Sequence, residues 1–106
     1  MDSLTRNRYE ARARVIKALA HPTRLALVDA LAERRRCVCD LAKVAGADMS
    51  TISKHLSLLK AAGIVEDRKR GLQVFYRLGC PCITNFFGCI EAVLRSSARR
   101  QAAVTA

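Results

Sequence analysis

Along residues 4–20 the apolar side chains Tyr9, Ala13, Ile16 and Ala20 recur on one side, arginines cover the rest, and neither Gly nor Pro interrupts. This pattern predicts an amphipathic first helix. His21-Pro22 then punctuates the chain, because proline fixes φ and lacks an N–H, which suits the first turn of a helix and disfavours its middle. A second helix is expected over residues 22–34, with Leu25, Val28, Leu31 and Ala32 as its buried stripe. It ends in Arg34-Arg35-Arg36, where cations meet the negative end of the helix dipole. A short helix over residues 39–45 stops at Gly46, a residue that tolerates the left-handed conformation. Asp48 is placed to cap a longer helix, whose Ile52, Leu56 and Leu59 supply a buried stripe as far as Ala62-Gly63. Short helix, tight turn and longer helix, together residues 39–62, make a helix-turn-helix.

Beyond Gly63 the period changes to two, with Leu72, Val74, Tyr76 and Leu78 on one face and Gln73, Phe75 and Arg77 on the other. This is a strand. Residues 64–68 are its expected antiparallel partner, and Lys69-Arg70-Gly71 forms the turn, Gly71 supplying a positive φ. A final helix over about residues 83–98 carries Phe86, Ile90, Val93 and Leu94. That stripe is too apolar to leave wet and has no element of its own chain to cover it, so it is expected to meet another subunit. Residues 99–106 are expected to fray. The fold class is mainly α with a small β-hairpin, in the order α-α-α-α-β-β-α.

The length of 106 residues suits one domain, residues 1–106. Lys and Arg number 19 against 9 Asp and Glu, a formal charge of +10, which favours a polyanionic partner. No apolar run approaches the roughly 18 residues a bilayer span needs, and Arg6, Arg8, Arg12 and Arg14 break up the N-terminus. A soluble, cytoplasmic protein with no membrane partner is expected. Aromatics are only 5% and Trp is absent, which argues against a stacking platform for single strands and leaves duplex DNA as the favoured target.

A helix entering a major groove needs short polar or cationic side chains near its N-terminus. Ser50, Thr51, Ser53 and His55 are therefore candidates for bases or phosphates, and Lys54 for phosphate, while Ile52 points inward. Arg68, Lys69 and Arg70 at the hairpin tip form a basic wing placed to lie along the backbone beside the groove. His21 and His55 are both accounted for without catalysis, no nucleophile-base or paired-carboxylate arrangement stands out, and the glycines form no phosphate cradle. No catalytic residue and no permanently bound cofactor is expected.

Five segments together resemble the ArsR/SmtB family of metal- and metalloid-responsive repressors. They are Leu19-Ala20-His21-Pro22-Thr23-Arg24-Leu25, Cys37-Val38-Cys39-Asp40-Leu41-Ala42, Ser50-Thr51-Ile52-Ser53-Lys54-His55-Leu56, Ala62-Gly63-Ile64-Val65 and Val74-Phe75-Tyr76-Arg77-Leu78. The resemblance implies a homodimeric winged helix-turn-helix, with residues 1–20 and 83–98 as dimerisation helices and residues 64–78 as the wing. It also implies repression, in which the metal-free dimer binds double-stranded operator DNA and an inducer releases it.

Five cysteines are an odd number for a disulfide scaffold, so free, functional thiols are the better reading. Cys37 and Cys39 stand two residues apart, about 200° on a regular helix, and converge only if the pair straddles a helix start. Arg34-Arg35-Arg36 and the helix-end amides are expected to favour thiolate there. Soft ligands of this kind select thiophilic ions. In the family, Cys-Val-Cys-Asp-Leu-Cys is the trithiolate pattern of arsenite and antimonite sensors, and the third position here is Ala42. The resemblance thus implies As(III) or Sb(III) as inducer, held by Cys37, Cys39 and one further thiolate. Cys89 is the preferred third ligand, with Cys82 and Cys80 as alternatives, from either subunit. A separate site of Cys80, Cys82 and Cys89 is a further alternative, as is a response to Cd, Pb or Hg, or to oxidants and reactive sulfur through cysteine modification. The family's cadmium and lead branch uses thiols of an N-terminal arm, and no cysteine precedes Cys37. Its zinc branch uses Asp and His on the last helix, where this chain has no His.

Overall fold

The computed structural model describes residues 1–105. Helix α1 (Ser3–Leu19) starts at Asp2, whose carboxylate accepts from the Thr5 amide at 2.7 Å. Helix α2 (Pro22–Glu33) has proline in its first turn and His21 as its cap, the imidazole Nδ1 accepting from the Thr23 amide at 3.1 Å. Then the chain extends into a two-residue strand, β1 (Arg36–Cys37), and turns into α3 (Val38–Ala45) and α4 (Met49–Ala61). Gly46, at φ +65, closes α3 in the left-handed conformation. Strands β2 (Val65–Arg70) and β3 (Gln73–Leu78) form the hairpin, and α5 (Ile83–Thr105) ends the described chain.

The sheet has three strands in the order β1-β3-β2, all antiparallel, with Arg36 opposite Tyr76 and Cys37 opposite Phe75. Strand β1 was not expected. The arginine run does not extend α2, because Arg36 is pulled inward: it is 8% exposed, its Nε donates to the Ala30 carbonyl at 3.0 Å, and its guanidinium pairs with Asp40 and Glu33. Burying that cation on three acceptors requires the chain to leave the helix at Arg34, whose backbone is extended.

Leu27, Val28, Leu31, Leu41, Ile52, Leu56, Leu59, Ile64, Val65 and Tyr76 form the core, joined by Leu19 from α1. In α2 the buried arc is rotated from the expected one: Leu25 and Ala32 face outward, and Leu27 and Ala30 are buried in their place. The hairpin is tighter than expected. Arg70 pairs with Gln73, so only Gly71 and Leu72 turn the chain, and Leu72 stands fully exposed at the tip rather than on the inner face. Gly71 has φ +61 at the first turn position, as a two-residue hairpin turn with one left-handed residue requires.

The tail is helical. Residues 99–105 continue α5 instead of fraying, since the stretch is made of Arg, Gln, Ala, Val and Thr with no Gly or Pro, and Ala, Arg and Gln are strong helix formers. Residue 106 lies outside the described residues. The stripe Phe86, Ile90, Val93 and Leu94 is exposed, as are Tyr9 and Ile16 of α1, which packs on the core only through Val15, Ala18 and Leu19. Between the two helices an apolar groove of about 320 Å³ is lined by Val15, Ile16, Leu19, Ile83 and Phe86. Among the described residues no helix is long and apolar enough to cross a membrane.

Candidate nucleic-acid interface and thiol pair

Helix α4 is positioned from both ends. Asp48 caps it, accepting from the Thr51 amide at 2.7 Å and the Ser50 hydroxyl at 3.1 Å, and these bonds hold its carboxyl below the usual range. Ile52, Leu56 and Leu59 anchor the opposite face in the core, which leaves Ser50, Thr51, Ser53 and Lys54 exposed on the outer face of the first turns. Such a face, short and polar with a single cation, can approach base edges and phosphates without steric conflict.

His55 does not belong to that face. It is half-buried against His21, the ring centroids 4.6 Å apart, and its Nδ1 is buried with no hydrogen-bond partner. Burial first, then the charges of His21 and Arg24, push its pKa below the ordinary value of 6.5. The imidazole packs at the α2–α4 junction, where burial disfavours its protonated form. A signal was present in the sequence, since positions 52, 55, 56 and 59 follow the i, i+3, i+4, i+7 pattern of one buried face.

Arg68, Lys69 and Arg70 are exposed on the last residues of β2, ahead of the turn. Beside them lies a shallow pocket of about 270 Å³ whose lining includes Arg35, Arg68, Arg70 and Arg77. Arg77 is paired with Glu66 at 2.9 Å, and Asp67, also in the lining, with Lys60 at 2.9 Å. Arg35 thereby joins Arg68 and Arg70 as a cation turned toward any anion at the wing, a contact with phosphate that the arginine run already allowed in the sequence.

The cysteines form two pairs. Cys37 is the N-cap of α3, its Sγ accepting from the Asp40 amide at 3.3 Å, and the Sγ of Cys39 approaches it to 2.7 Å. The two therefore do straddle a helix start. The hydrogen bond between them lowers the pKa of Cys37 and raises that of Cys39, so of the two Cys37 is the one whose thiolate is favoured. The arginines have no part in this. Arg36 is engaged with Asp40, Glu33 and Ala30, and the nearby Asp40 carboxylate opposes ionisation of Cys37. From β3, Gln73 Nε2 reaches to 3.9 Å of the Cys39 sulfur.

Cys80 and Cys82, exposed in the turn before α5, have sulfurs 3.0 Å apart, and their hydrogen bond raises the pKa of Cys82. Cys89 is exposed on α5. Among the described residues no three His, Cys, Asp or Glu side chains converge as a metal site. The expected third thiolate, whether Cys89, Cys82 or Cys80, is thus not brought to the Cys37/Cys39 pair within one chain, and Cys80, Cys82 and Cys89 do not gather into a site of their own. The physical reason is their location: the turn and α5 hang off the far end of β3, and α5 makes little contact with the body.

The model of the bacterial regulatory protein arsR family matches residues 21–67, which span α2 through the start of β2. A solved structure similar over nearly all of both chains is the homodimeric winged helix-turn-helix domain of Mb0332 from Mycobacterium bovis, a possible ArsR-family regulator. It has a TM-score of 0.80 and 30% identity, with 94% of this chain and 93% of that one covered. This chain belongs to the ArsR family. The transcriptional repressor SmtB of Mycobacterium tuberculosis is 41% identical over 69 residues, 65% of this chain and 51% of SmtB. The structure of AntR, an antimony-specific transcriptional repressor, superposes with a TM-score of 0.76 at 27% identity, covering 93% and 90% of the two chains. This ArsR-family chain spans about half the length or less of the first curated relatives it matches. These relatives are regulators of transcription by name.

Proposed function

We propose that this ArsR-family chain is a homodimeric repressor that holds double-stranded operator DNA in its metal-free form and releases it when Cys37 and Cys39 bind As(III) or Sb(III). The observation carrying this reading is the position of the thiol pair at the first turn of α3, because α3 is joined to the DNA-facing α4 by three residues alone, Gly46-Ala47-Asp48. Coordination replaces the S–H protons by bonds to the ion. It draws on the same sulfur lone pairs that accept the Asp40 amide, so the cap that fixes the start of α3 is altered as the ion arrives. A shift of α3 moves α4, and two α4 helices must stay about 34 Å apart to sit in successive major grooves. The linkage is reciprocal: DNA weakens inducer binding by the factor by which inducer weakens DNA binding.

The exposed stripes of α1 and α5, with the apolar groove between them, support the dimer. Similarity to AntR supports the choice of ion. Release of DNA by arsenite should be abolished in a Cys37→Ser, Cys39→Ser double variant that binds DNA as tightly as the parent. If that variant still releases DNA, the assignment is wrong. A second reading, cysteine modification by oxidants or reactive sulfur, is favoured by the exposed Cys80/Cys82 pair at 3.0 Å. Intact mass separates the two, since arsenic retained by the reduced protein supports the first, and disulfide or polysulfide adducts that accompany loss of DNA binding support the second.

A further inference from the structure

A cleft of about 590 Å³ lies between α1 and the last turns of α4, with the first turn of α2 at its side. That size falls within the roughly 300–1,000 Å³ of small-molecule sites. Its lining is apolar where Val15 and Ala18 of α1 meet Leu58 of α4, and Leu58 is left 52% exposed. The charged residues of the lining are Arg14, Lys17 and Arg24, with no acid among them. None of these three cations has an ion pair among the described residues. Lys17 complements the dipole at the end of α1, but Arg24 has no such account. It stands in the first turn of α2, the positive end of that helix, where a cation is disfavoured. Its Nε is also buried with no hydrogen-bond partner. An anion in the cleft would give the guanidinium an acceptor and suit the helix end. Duplex phosphates would meet the cations but leave Val15, Ala18 and Leu58 without an apolar partner.

We propose that this cleft binds a hydrophobic organic carboxylate as a second effector, with the carboxylate on Arg24 and an aromatic or short aliphatic body against Leu58, Val15 and Ala18. Arg14 and Lys17 add attraction at the rim. The helix ends set the orientation: the start of α2 attracts negative charge, whereas the carbonyls that end α4 repel it and take the apolar body. Helix α1 carries part of the exposed stripe assigned to the dimer, and α4 carries the DNA-facing side chains. A ligand wedged between them changes the angle at which a dimer presents α4 to a duplex, and so couples the two binding events. Of the function proposed above, this takes only the binding of duplex DNA and is independent of the thiols.

The test titrates 2-naphthoate into the reduced full chain by calorimetry, beside acetate, which has the charge without the body, and 2-naphthalenemethanol, which has the body without the charge. The naphthoate should bind about tenfold tighter than the alcohol, the effect of one charge-assisted hydrogen bond, and acetate should bind weakest. Arg24→Gln should remove the preference for the acid over the alcohol, and Arg14→Gln, at an exposed position, should reduce it if the first variant fails to fold. Leu58→Asp should abolish binding of the naphthoate. On duplex DNA, 2-naphthoate should shift the affinity of the parent protein and leave that of Leu58→Asp unmoved. Equal affinity for acid and alcohol, or a preference unmoved by the cation variants, overturns this inference. Displacement of the naphthoate by inorganic phosphate as readily as by 1-naphthoate overturns it too, and makes the cations a plain phosphate contact. Naphthoate binding that leaves duplex affinity unchanged overturns the effector role. A chain that binds no duplex at all overturns the repressor reading, while the calorimetry still decides the ligand.

Discussion

Cys37 has two roles that a substitution can separate. As the cap of α3 it accepts from the Asp40 amide; as a thiolate it is the proposed ligand. Serine is a good cap and a poor ligand for soft ions, so Cys37→Ser should leave the unfolding midpoint nearly unchanged, whereas Cys37→Ala should lower stability by about 1 kcal/mol. Thermal or denaturant unfolding of both variants checks this. Arg36 is the opposite case, a cation whose meaning is structural. Arg36→Met takes the buried donor from the Ala30 carbonyl and the ion-pair partner from Glu33, and leaves Asp40 only its longer pair with Arg34 at 3.8 Å, so a loss of about 1–3 kcal/mol is expected in the same assay. His55 adds a pH term. Its folded pKa lies below the ordinary 6.5, so the unfolded chain binds more protons between the two values. Stability is therefore full above about pH 6.5 and falls as the pH drops through the folded pKa. His55→Gln should flatten that decline, and a decline of the same size in the variant would show that other groups cause it.

At the scale of elements, the helices and the hairpin were legible because each writes its own period: Ile52, Leu56 and Leu59 for α4, Val74, Tyr76 and Leu78 for β3. What was not legible depended on partners distant in sequence. Two residues cannot declare a strand, and β1 exists only because β3 offers it a free edge and Arg36 finds its acceptors. Likewise the turn was placed early, since Lys69 and Arg70 are as polar as loop residues while in fact pairing with Val74 and Gln73. At the thiol site, the pairing of Cys37 with Cys39 could be read from their spacing at a helix start, whereas the approach of Gln73 from β3 to the Cys39 sulfur joins residues distant in sequence and left no local mark. The wing supplies its own expectation. Each cation lost from it removes about 0.9 from the slope of log binding constant against log salt, so Arg68→Gln with Arg70→Gln should make the slope shallower by ~1.8. Titrations on duplex DNA at several salt concentrations measure this directly.

For the whole molecule, the chain is extended, 56 × 43 × 22 Å, with α5 carrying its apolar stripe away from the body. The sequence predicted that face and another subunit as its cover, because the periodicity shows a surface that must be covered and no element of the chain is left to cover it. A second copy is the proposed cover. Val93→Asp should then shift the protein to monomer in analytical ultracentrifugation and weaken DNA binding sharply, because each half-site gains affinity from being tied to the other. A variant that stays dimeric would place the interface elsewhere.

The two-residue β1 ends in Cys37 and is hydrogen-bonded along β3, the inner strand of the wing. From the same sulfur the chain runs on through α3 to α4. One chemical event at this junction thus sits a few residues from both surfaces that would grip a duplex, so a tug on the sulfurs can unsettle the finger in the groove and the arm along the backbone together, with no long relay between them.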